Sequence, residues 1–453
     1  MKEKLQKIFL LLFLTFGVQL NAASLKTEIV NGYNSGLRYS LVPWLKEYIY
    51  LKRGNIGNVD KIVTNILLRV GAQNFEGLDI RLLANSGANS LRYVAAKKYV
   101  KKSEFSKART VLTQISKSSL LFPLAQNFLA TISYLKKDYE RSLNYYSICL
   151  ESSQDKMNSG NQNVFKQLKI NRDICITGKA RVHYAKKELK KADDAYLNLE
   201  KKSIVWPPIL LEEAWSSYYA GHYNRTLGKL VTYNAPLLKY VSNPEVYVLK
   251  AMTYLKMCLY GDVNKVAEDF YGRYENLASA LEQEVKRNKD SLYYYHLVSG
   301  FKNESPEERM YILKGIKKSP NVKVFFENIE NAKKEKSLIA RHRGNRKGLY
   351  KNISEFVETQ KKVIGLHAQT RLNKTAYDLR KSLQSMSYMK LEVLGRKKEA
   401  LYEGKPITGK RGDVKYLKKS DRQYFWNFIG EFWGDELGDY VFTLPVECPD
   451  YEK

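Results

Sequence analysis

The clearest hydrophobic pattern in the chain lies between residues 210 and 271, where small, aromatic and apolar positions recur at similar intervals. The first copy is Ala214, Tyr218, Tyr223, Thr226, Leu230 and Tyr233, and the second is Ala251, Tyr254, Tyr260, Val263, Ala267 and Phe270. This spacing predicts two antiparallel amphipathic helices joined by a short turn, with aromatic rings filling the gaps between them. One such pair cannot bury its own apolar face, so the pattern predicts stacking on neighbouring pairs.

The pattern extends toward the N-terminus when one aromatic or apolar position of each helix pair is used as a marker. The markers are Phe105, Tyr139, Leu189, Tyr223 and Tyr260, with a weaker copy at Ile56. Successive intervals between the five stronger markers are 34, 50, 34 and 37 residues. The long interval contains 16 extra residues, which match the polar stretch 151–167 and predict a surface insertion between repeats.

A period of 34 residues is that of tetratricopeptide (TPR) repeats, and segment 130–146 resembles the turn and second helix of that family. The resemblance covers about residues 37–274 and implies an all-α fold, a TPR-like α-solenoid of antiparallel helix pairs. The glycine that the family usually has before the turn is mostly missing. Ser103 and Lys137 stand there, and the first copy has Gly54 instead.

Beyond residue 274 the repeat fades, and we assign residues 24–330 to the solenoid and residues 331–403 to a long basic helical region. Apolar positions in this region alternate at intervals close to three and four, as in a helical hairpin or coiled coil. They include Leu372, Leu379, Leu383, Met386, Val393 and Leu401. Two arrangements remain open: the region protrudes as a second part of the molecule, or it folds back as more solenoid.

Residues 404–453 differ in character, because a loop rich in Gly and Lys is followed by an aromatic and acidic tail. The content of Tyr, Val, Phe and Thr predicts a strand over Asp439–Val446. We expect the tail to dock in the groove or at the end of its own solenoid through aromatic anchors. These anchors are Phe425, Trp426, Phe432 and Trp433.

The chain begins with a pattern typical of a secretory signal peptide at residues 1–23, with a basic start, an apolar core and small residues at the end. The apolar core is short for a membrane span, which needs about 20 residues. We expect cleavage and export, to the periplasm or the outer membrane, with no transmembrane span afterwards. An uncleaved N-terminal anchor is the alternative.

The net charge of +29 favours an anionic partner. The signal contains three Lys and one Glu, so its removal lowers the charge by two, to +27. Export makes nucleic acid a poor candidate, whereas an envelope protein, an anionic envelope surface or a cell-wall polymer fits better. The basic stretch 333–351 could bind such a surface directly, although lysines at solvated positions would also give this composition.

Four cysteines allow three disulfide connectivities, and export permits pairing. Cys149 and Cys175 flank the insertion, whereas Cys258 and Cys448 link a repeat to the tail. We therefore favour the pairs Cys149–Cys175 and Cys258–Cys448, with four buried free thiols as the alternative.

The sequence offers little sign of catalysis. The five histidines are dispersed, and the cysteines lack zinc-finger spacing, so we expect no metal and no cofactor. Gly404–Lys410 resembles a phosphate-binding loop, but Arg411 stands where a Ser or Thr is needed. We expect a binding protein and not an enzyme. The rival hypothesis is a cell-wall hydrolase, which needs two carboxylates about 5–10 Å apart.

A solenoid of helix pairs has a concave groove lined by the first helix of each pair. We expect this groove to take an extended or helical peptide from a partner, with aromatic and polar side chains as anchors. By their phase in the repeat, the predicted groove residues are Tyr93, Gln126, Asn127, His183, Tyr218 and Tyr254.

The tail, together with the region of Trp215 and segment 258–260, is similar to exported TPR proteins found beside the gliding-motility machinery of deltaproteobacteria. The matching positions are Gly430, Glu431, Phe432, Trp433, Asp435, Glu436, Leu437, Gly438, Tyr440 and Cys448. This resemblance implies an envelope scaffold role and no enzymatic activity.

Overall fold

The computed structural model describes residues 22–158, 162–241, 243–301, 306–402 and 430–448. These residues form eighteen α-helices, two short 3₁₀-helices and no β-strand, which confirms the predicted all-α class. They divide into two compact units. Unit 1 is drawn from Met1–Leu121 and Asn328–Val357, and unit 2 from Phe122–Glu327 and Glu358–Lys453.

Unit 1 begins with six helices and a single 3₁₀ turn, Ala72–Phe75. The helices are α1 (Ala22–Asn34), α2 (Val42–Leu51), α3 (Val59–Val70), α4 (Ile80–Ala84), α5 (Asn89–Lys101) and α6 (Phe105–Thr113). Residues 328–357 complete unit 1. They belong to two long helices, α17 (Pro320–Arg341) and α18 (Arg346–Tyr402), each of which runs from one unit into the other.

Unit 2 contains ten complete helices in the order that the repeat pattern predicts. They are α7 (Phe122–Leu135), α8 (Tyr139–Asn158), α9 (Gln162–Ala185), α10 (Leu189–Leu197), α11 (Trp206–Tyr219), α12 (Tyr223–Val231), α13 (Glu245–Lys256), α14 (Tyr260–Arg287), α15 (Ser291–Gly300) and α16 (Glu307–Lys318). Helices α17 (Pro320–Arg341) and α18 (Arg346–Tyr402) follow. In unit 2 the second helices α8, α10 and α12 each pack on their own first helix and on the next one, so the pairs form the predicted TPR-like solenoid.

One turn geometry joins the helix pairs from α5–α6 to α13–α14. The second helices begin at the five stronger repeat markers, Phe105, Tyr139, Leu189, Tyr223 and Tyr260. Two positions before each marker, φ lies between 59° and 78°, at Ser103, Lys137, Lys187, Gly221 and Cys258. The next amide then donates to the carbonyl five residues earlier, as from Glu188 N to His183 O at 2.9 Å. This left-handed residue closes the first helix in the Schellman manner.

The weaker marker is misplaced by three residues. Ile56 is buried, but the second helix of that pair, α3, begins at Val59. Here Arg53, with a φ of 48°, takes the left-handed position, because the next amide, of Gly54, donates to the Ile49 carbonyl at 2.9 Å. Gly54 also has a positive φ, of 82°, and the turn after it is longer than in the other pairs. A longer turn moves the start of the helix without changing the spacing of the apolar residues, which explains the error.

Where the structure describes them, the extra residues between the second and third markers lengthen two helices. Helix α8 extends to Asn158 and helix α9 starts at Gln162. Buried side chains continue along both extensions, at Met157 on one and at Leu168 on the other. The prediction of a surface insertion is therefore corrected for 151–158 and 164–167, which lie on helices with buried side chains at Ser153, Met157 and Val164.

The long helical region is a hairpin of α17 and α18, and it packs onto the rest of each unit. The buried apolar residues of α18 form one stripe, Leu349, Ile353, Phe356, Ile364, Ala368, Leu372, Ala376, Leu379, Leu383, Met386, Met389 and Val393. In unit 2, Gly365 lies against the carbonyl of Ser291 so closely that a Cβ would overlap it. The arrangement in which the region protrudes is therefore wrong for the residues of this stripe. Leu401, near the end of α18, is 67% exposed and is not part of the stripe.

A buried carboxylate connects the hairpin to the N-terminal helices of unit 1. Glu335 accepts hydrogen bonds from the amides of Arg38, Tyr39 and Ser40 at 2.8, 3.0 and 2.9 Å, and from the Ser40 hydroxyl at 2.6 Å. Asn352 then donates to the Ser40 carbonyl at 2.9 Å. The chain entering α2 thus has its free amides satisfied by a side chain almost 300 residues away in sequence, which no local pattern signals.

We expect Lys187→Gly to raise the midpoint of thermal unfolding by about 1–3 °C. Glycine removes the steric cost of the left-handed backbone, about 1–2 kcal/mol, and part of this gain is offset by a freer unfolded chain. Lys190→Gly, inside α10, is the matched control, and it should lower the midpoint because glycine in a helix costs about 1 kcal/mol. Circular dichroism melts measure both. A Lys187→Gly protein that melts below Lys190→Gly would contradict this turn geometry.

Candidate functional site

The first helices of unit 2 share one surface that contains a cavity of about 410 Å³. Four consecutive first helices, α7, α9, α11 and α13, contribute to its walls. The lining residues are Tyr134, Arg181, Tyr184, Tyr196, Glu212, Trp215, Tyr219 and Glu245. Only Tyr196 comes from a second helix, α10, so the cavity lies on the side of the solenoid that the first helices form. We call these eight residues the aromatic cavity.

Aromatic rings form most of the surface of this cavity. Trp215 and Tyr219 are four residues apart on α11, which places them on one face of the helix. Their rings stack at 5.6 Å and 23°, and Tyr184 meets Tyr219 edge-on at 6.1 Å and 63°. Tyr219 is 60% exposed, so part of this aromatic surface faces solvent and is open to a ligand.

Two carboxylates and one guanidinium lie among the rings. Arg181 binds Glu212 with two parallel hydrogen bonds of 2.7 Å, and the Tyr196 hydroxyl donates to the same carboxylate at 3.0 Å. Glu245 accepts a hydrogen bond of 2.8 Å from Nε1 of Trp215. The bidentate pair fixes Arg181 in place, since planar forks of this kind hold their geometry.

The electrostatic environment of the cavity is negative around its central tyrosine. Burial, followed by the smaller effects of Tyr219, Glu245 and Glu212, raises the pKa of the Tyr184 hydroxyl to about 12. The hydrogen bond to Glu212 raises the pKa of Arg181. Tyr184 is therefore neutral and Arg181 charged across the physiological pH range.

The structure places most of the predicted groove residues elsewhere. Tyr93, Gln126, Tyr218 and Tyr254 are buried between helices, and Tyr93 belongs to unit 1. Of the other two, Asn127 donates to Asn171 at 2.9 Å and the His183 ring bonds Glu188 at 2.7 Å. None of the six lines the aromatic cavity, and their role in binding a partner stays a prediction. His183 and Tyr218 each stand one position before a lining residue, Tyr184 and Tyr219.

A signal for part of the cavity was present in the sequence. Tyr134, Tyr184 and Tyr218 each stand five residues before a repeat marker, and the first two line the cavity. At the third pair the lining side chains are Trp215 and Tyr219 instead. The charged residues of the lining had no such signal, because their roles depend on partners from other repeats.

The C-terminal tail packs on α11 and α12 through two residues that were not predicted. Leu437 and Tyr440 are buried in the same apolar cluster as Trp206 and Leu210. Of the four predicted anchors, Phe432 packs partly against this cluster, whereas Trp433 is 49% exposed. Phe425 and Trp426 lie outside the described residues. Trp433 as an anchor stays a prediction, and no described tail residue lines the aromatic cavity.

The tail binds α12 with its backbone. The Asn224 side chain accepts a hydrogen bond from the Leu444 amide and donates one to the Leu444 carbonyl, each at 3.0 Å. The Phe442 amide donates to the Asn224 carbonyl at 3.0 Å. The predicted strand over Asp439–Val446 is wrong. This segment hydrogen-bonds to the side chain and the backbone carbonyl of Asn224 on α12, and not to another strand.

Two further residues of α12 fit closely to the tail. A Cβ on Gly228 would overlap the carbonyl of Tyr440. The buried Lys229 ammonium bonds Glu213 at 2.6 Å and the Gly438 carbonyl at 3.4 Å. Burial raises the pKa of the Glu213 carboxyl, although Lys229 opposes the shift. The tail carbonyl therefore completes the hydrogen bonding of a buried ion pair, which would otherwise be costly.

The cysteines form two disulfides in the structure. Cys149 and Cys175 link α8 to α9, with Cα atoms 6.4 Å apart, and Cys258 and Cys448 link the turn before α14 to the tail, with Cα atoms 5.1 Å apart. Next to the second bond, the Glu447 amide donates to the Met257 carbonyl at 2.9 Å. These are the pairs that the sequence analysis favours, and the redox state in the cell stays a prediction.

Among the described residues no cluster of three or more His, Cys, Asp or Glu side chains is placed to hold a metal ion. In the same part of the chain no helix has both the length and the apolar character needed to cross a membrane. The phosphate-loop-like segment 404–410 and most of the signal-like segment 1–23 lie outside the described residues.

Comparisons with known proteins add little to this geometry. No family model and no curated protein matches the chain. A solved structure of Naa15/Naa10 bound to HypK-THB aligns with 82% of this chain at 13% identity and a TM-score of 0.28. A circular tandem repeat protein with novel repeat topology covers 85% of it at 12% identity and a TM-score of 0.15. This chain spans 63% of the first match and 100% of the second. Both TM-scores are low, so the fold and the site rest on this chain's own geometry.

We expect Gly228→Ala to destabilise the protein by about 1–3 kcal/mol, because the added Cβ overlaps the docked tail backbone. Without a docked tail the same change would stabilise α12, since alanine is favoured over glycine in helices by about 1 kcal/mol. Gly272→Ala in α14 is the control, because its Cβ meets nothing within 4 Å. Thermal melts show whether each substitution raises or lowers the stability. A Gly228→Ala protein that gains stability as Gly272→Ala does would show that the tail is not docked there.

Non-reducing peptide mapping of the protein purified from an oxidising compartment should give two linked pairs, Cys149 with Cys175 and Cys258 with Cys448. Trypsin followed by mass spectrometry, with and without reductant, identifies them. Reduction should also make the tail more sensitive to protease, since its end then loses its covalent link and keeps the hydrogen bonds to Asn224 and Met257. Four free thiols, or a different pairing, would refute this assignment.

Proposed function

We propose that this protein is a non-enzymatic scaffold that docks a partner protein on the aromatic cavity of unit 2, as an extended or helical peptide. The observation that carries the proposal is that four successive first helices contribute aromatic and hydrogen-bonding side chains to one open surface. A surface built from several repeats suits a ligand that runs along them, because repeat proteins bind elongated partners on the side where the first helices lie.

The size and composition of the cavity suit side chains of a peptide. A volume near 410 Å³ is at the small end of ligand pockets and holds one or two large side chains. Trp, Tyr and Arg dominate binding energy at protein interfaces, and here they form most of the lining. The ring edges, the Tyr hydroxyls and Glu245 supply directional contacts for the peptide backbone or for polar side chains.

The carboxylates of the cavity do not support the hydrolase hypothesis. Hydrolysis by a carboxylate pair needs one carboxyl group that holds a proton and can donate it. Glu212 instead accepts two hydrogen bonds from Arg181 and one from Tyr196, so both of its oxygens are engaged by groups of the protein. We therefore favour binding over catalysis at this site.

We further propose that the protein works after export, in the periplasm or at the outer membrane, as part of an envelope complex. Support comes from the signal-like residues 1–23 and from two cysteine pairs placed for disulfides, which persist in oxidising compartments. The tail pattern that resembles gliding-motility-associated TPR proteins makes such a complex the first to examine.

A second candidate function is electrostatic binding to an anionic envelope surface. Unit 1 exposes seven basic side chains around the turn between α17 and α18: Lys333, Lys334, Lys336, Arg341, Arg343, Arg346 and Lys347. Binding of this kind would fall steeply with salt, because exposed charges are screened within about 8 Å at physiological ionic strength. Docking on the aromatic cavity would depend on salt much less.

Panning of a random peptide library on the immobilised full chain tests the docking proposal. We expect selected peptides to lose about tenfold or more in affinity on Trp215→Leu and on Tyr219→Ala, because these rings form the open surface. Tyr377→Ala is the matched control, since that tyrosine is 67% exposed on α18 and away from the cavity lining. Calorimetry measures the affinities. If no selected peptide distinguishes Tyr219→Ala from Tyr377→Ala, the proposal is wrong.

A further inference from the structure

We infer that the aromatic cavity accepts a lysine or arginine side chain of the partner peptide. The inference rests on the proposed function and specifies the chemistry of its anchor. It is unexpected from the composition, because a chain with a net charge of +29 should as a whole attract acidic partners.

The ring arrangement suits a cation. Faces of Trp and Tyr rings carry negative electrostatic potential and attract ammonium or guanidinium groups within about 6 Å of the ring centre. Tyr184 stands at 63° to Tyr219, which stacks on Trp215. The stacked rings and the tilted ring form two walls that meet at a steep angle, and Tyr134 adds a further ring to the lining. A group inserted in this corner meets more than one ring.

The charges in the lining also favour a cation. Two glutamates and one arginine give the aromatic cavity a formal charge of −1. Arg181 is bound at two nitrogens by Glu212, so an incoming anion would have to displace that pair. Glu245 is an exposed residue and receives its hydrogen bond from Trp215 at Oε1. Its carboxylate stands beside the indole, where it can pair with a cation lying on the ring.

Both carboxylates act on the centre of the cavity. Glu245 and Glu212 each contribute to the raised pKa of Tyr184, after burial and Tyr219. A basic side chain placed among these groups gains attraction from rings and carboxylates together, whereas an acidic side chain meets repulsion from both. The long apolar stem of Lys or Arg can also pack on the aromatic walls while its charged end reaches Glu245.

The test uses the peptides selected on the full chain, with each basic residue replaced in turn by citrulline, which keeps the shape of arginine without its charge. We expect one basic position at which citrulline weakens binding by about tenfold. Glu245→Gln should weaken binding of the parent peptide by about two- to fivefold, as for a partly exposed ion pair, and should not affect the citrulline peptide. Glu268→Gln, an exposed glutamate on α14, is the control variant.

The outcomes separate this inference from the docking proposal. Selected peptides that depend on Tyr219 but keep their affinity with citrulline at every basic position would overturn the cationic anchor and leave docking intact. Equal affinities for wild type and Glu245→Gln would also overturn it. A citrulline effect that disappears in Glu245→Gln supports it, because charge on the peptide and charge in the cavity then act on each other.

Discussion

The left-handed residue between paired helices is the constraint on which the rest of this structure depends. It ends each first helix and starts the second one two residues later, and in unit 2 four successive first helices reach one surface. Their aromatic residues are gathered there as a consequence. Only one of the five positions is glycine, and the residues Ser103, Lys137, Lys187 and Cys258 each accept a strain of about 1–2 kcal/mol. Packing between successive pairs must offset it.

The repeat architecture could be predicted from the sequence because helix pairing is local and recurs with a fixed period. The site could not be placed to the residue, for a geometric reason. Neighbouring residues on a helix point about 100° apart, so an error of one position exchanges the buried Tyr218 for the open Tyr219. The tail was recognised by composition, but its anchors were missed. Docking by Leu437 and Tyr440 depends on the space left by Gly228, which only the folded solenoid reveals.

Helix α11 connects the two features of unit 2 that matter most for function. Glu212 lines the aromatic cavity, whereas its neighbour Glu213 binds the buried Lys229 beside the tail. The tail and the cavity therefore lie against different faces of one helix. The docked tail packs on Trp206 and Leu210 at the start of α11, so the helix that contributes three residues to the cavity is covered on its other face.

Photo-cross-linking from the cavity itself tests the central claim, that the first helices of unit 2 form the binding surface. A benzophenone amino acid would replace Tyr219 in the full chain with its tail, and Tyr377 in a parallel sample. We predict cross-links from position 219 to a bound peptide, lost when unlabelled peptide is added in excess, and none from position 377. Equal cross-linking at both positions, or cross-linking at 377 alone, would contradict the account.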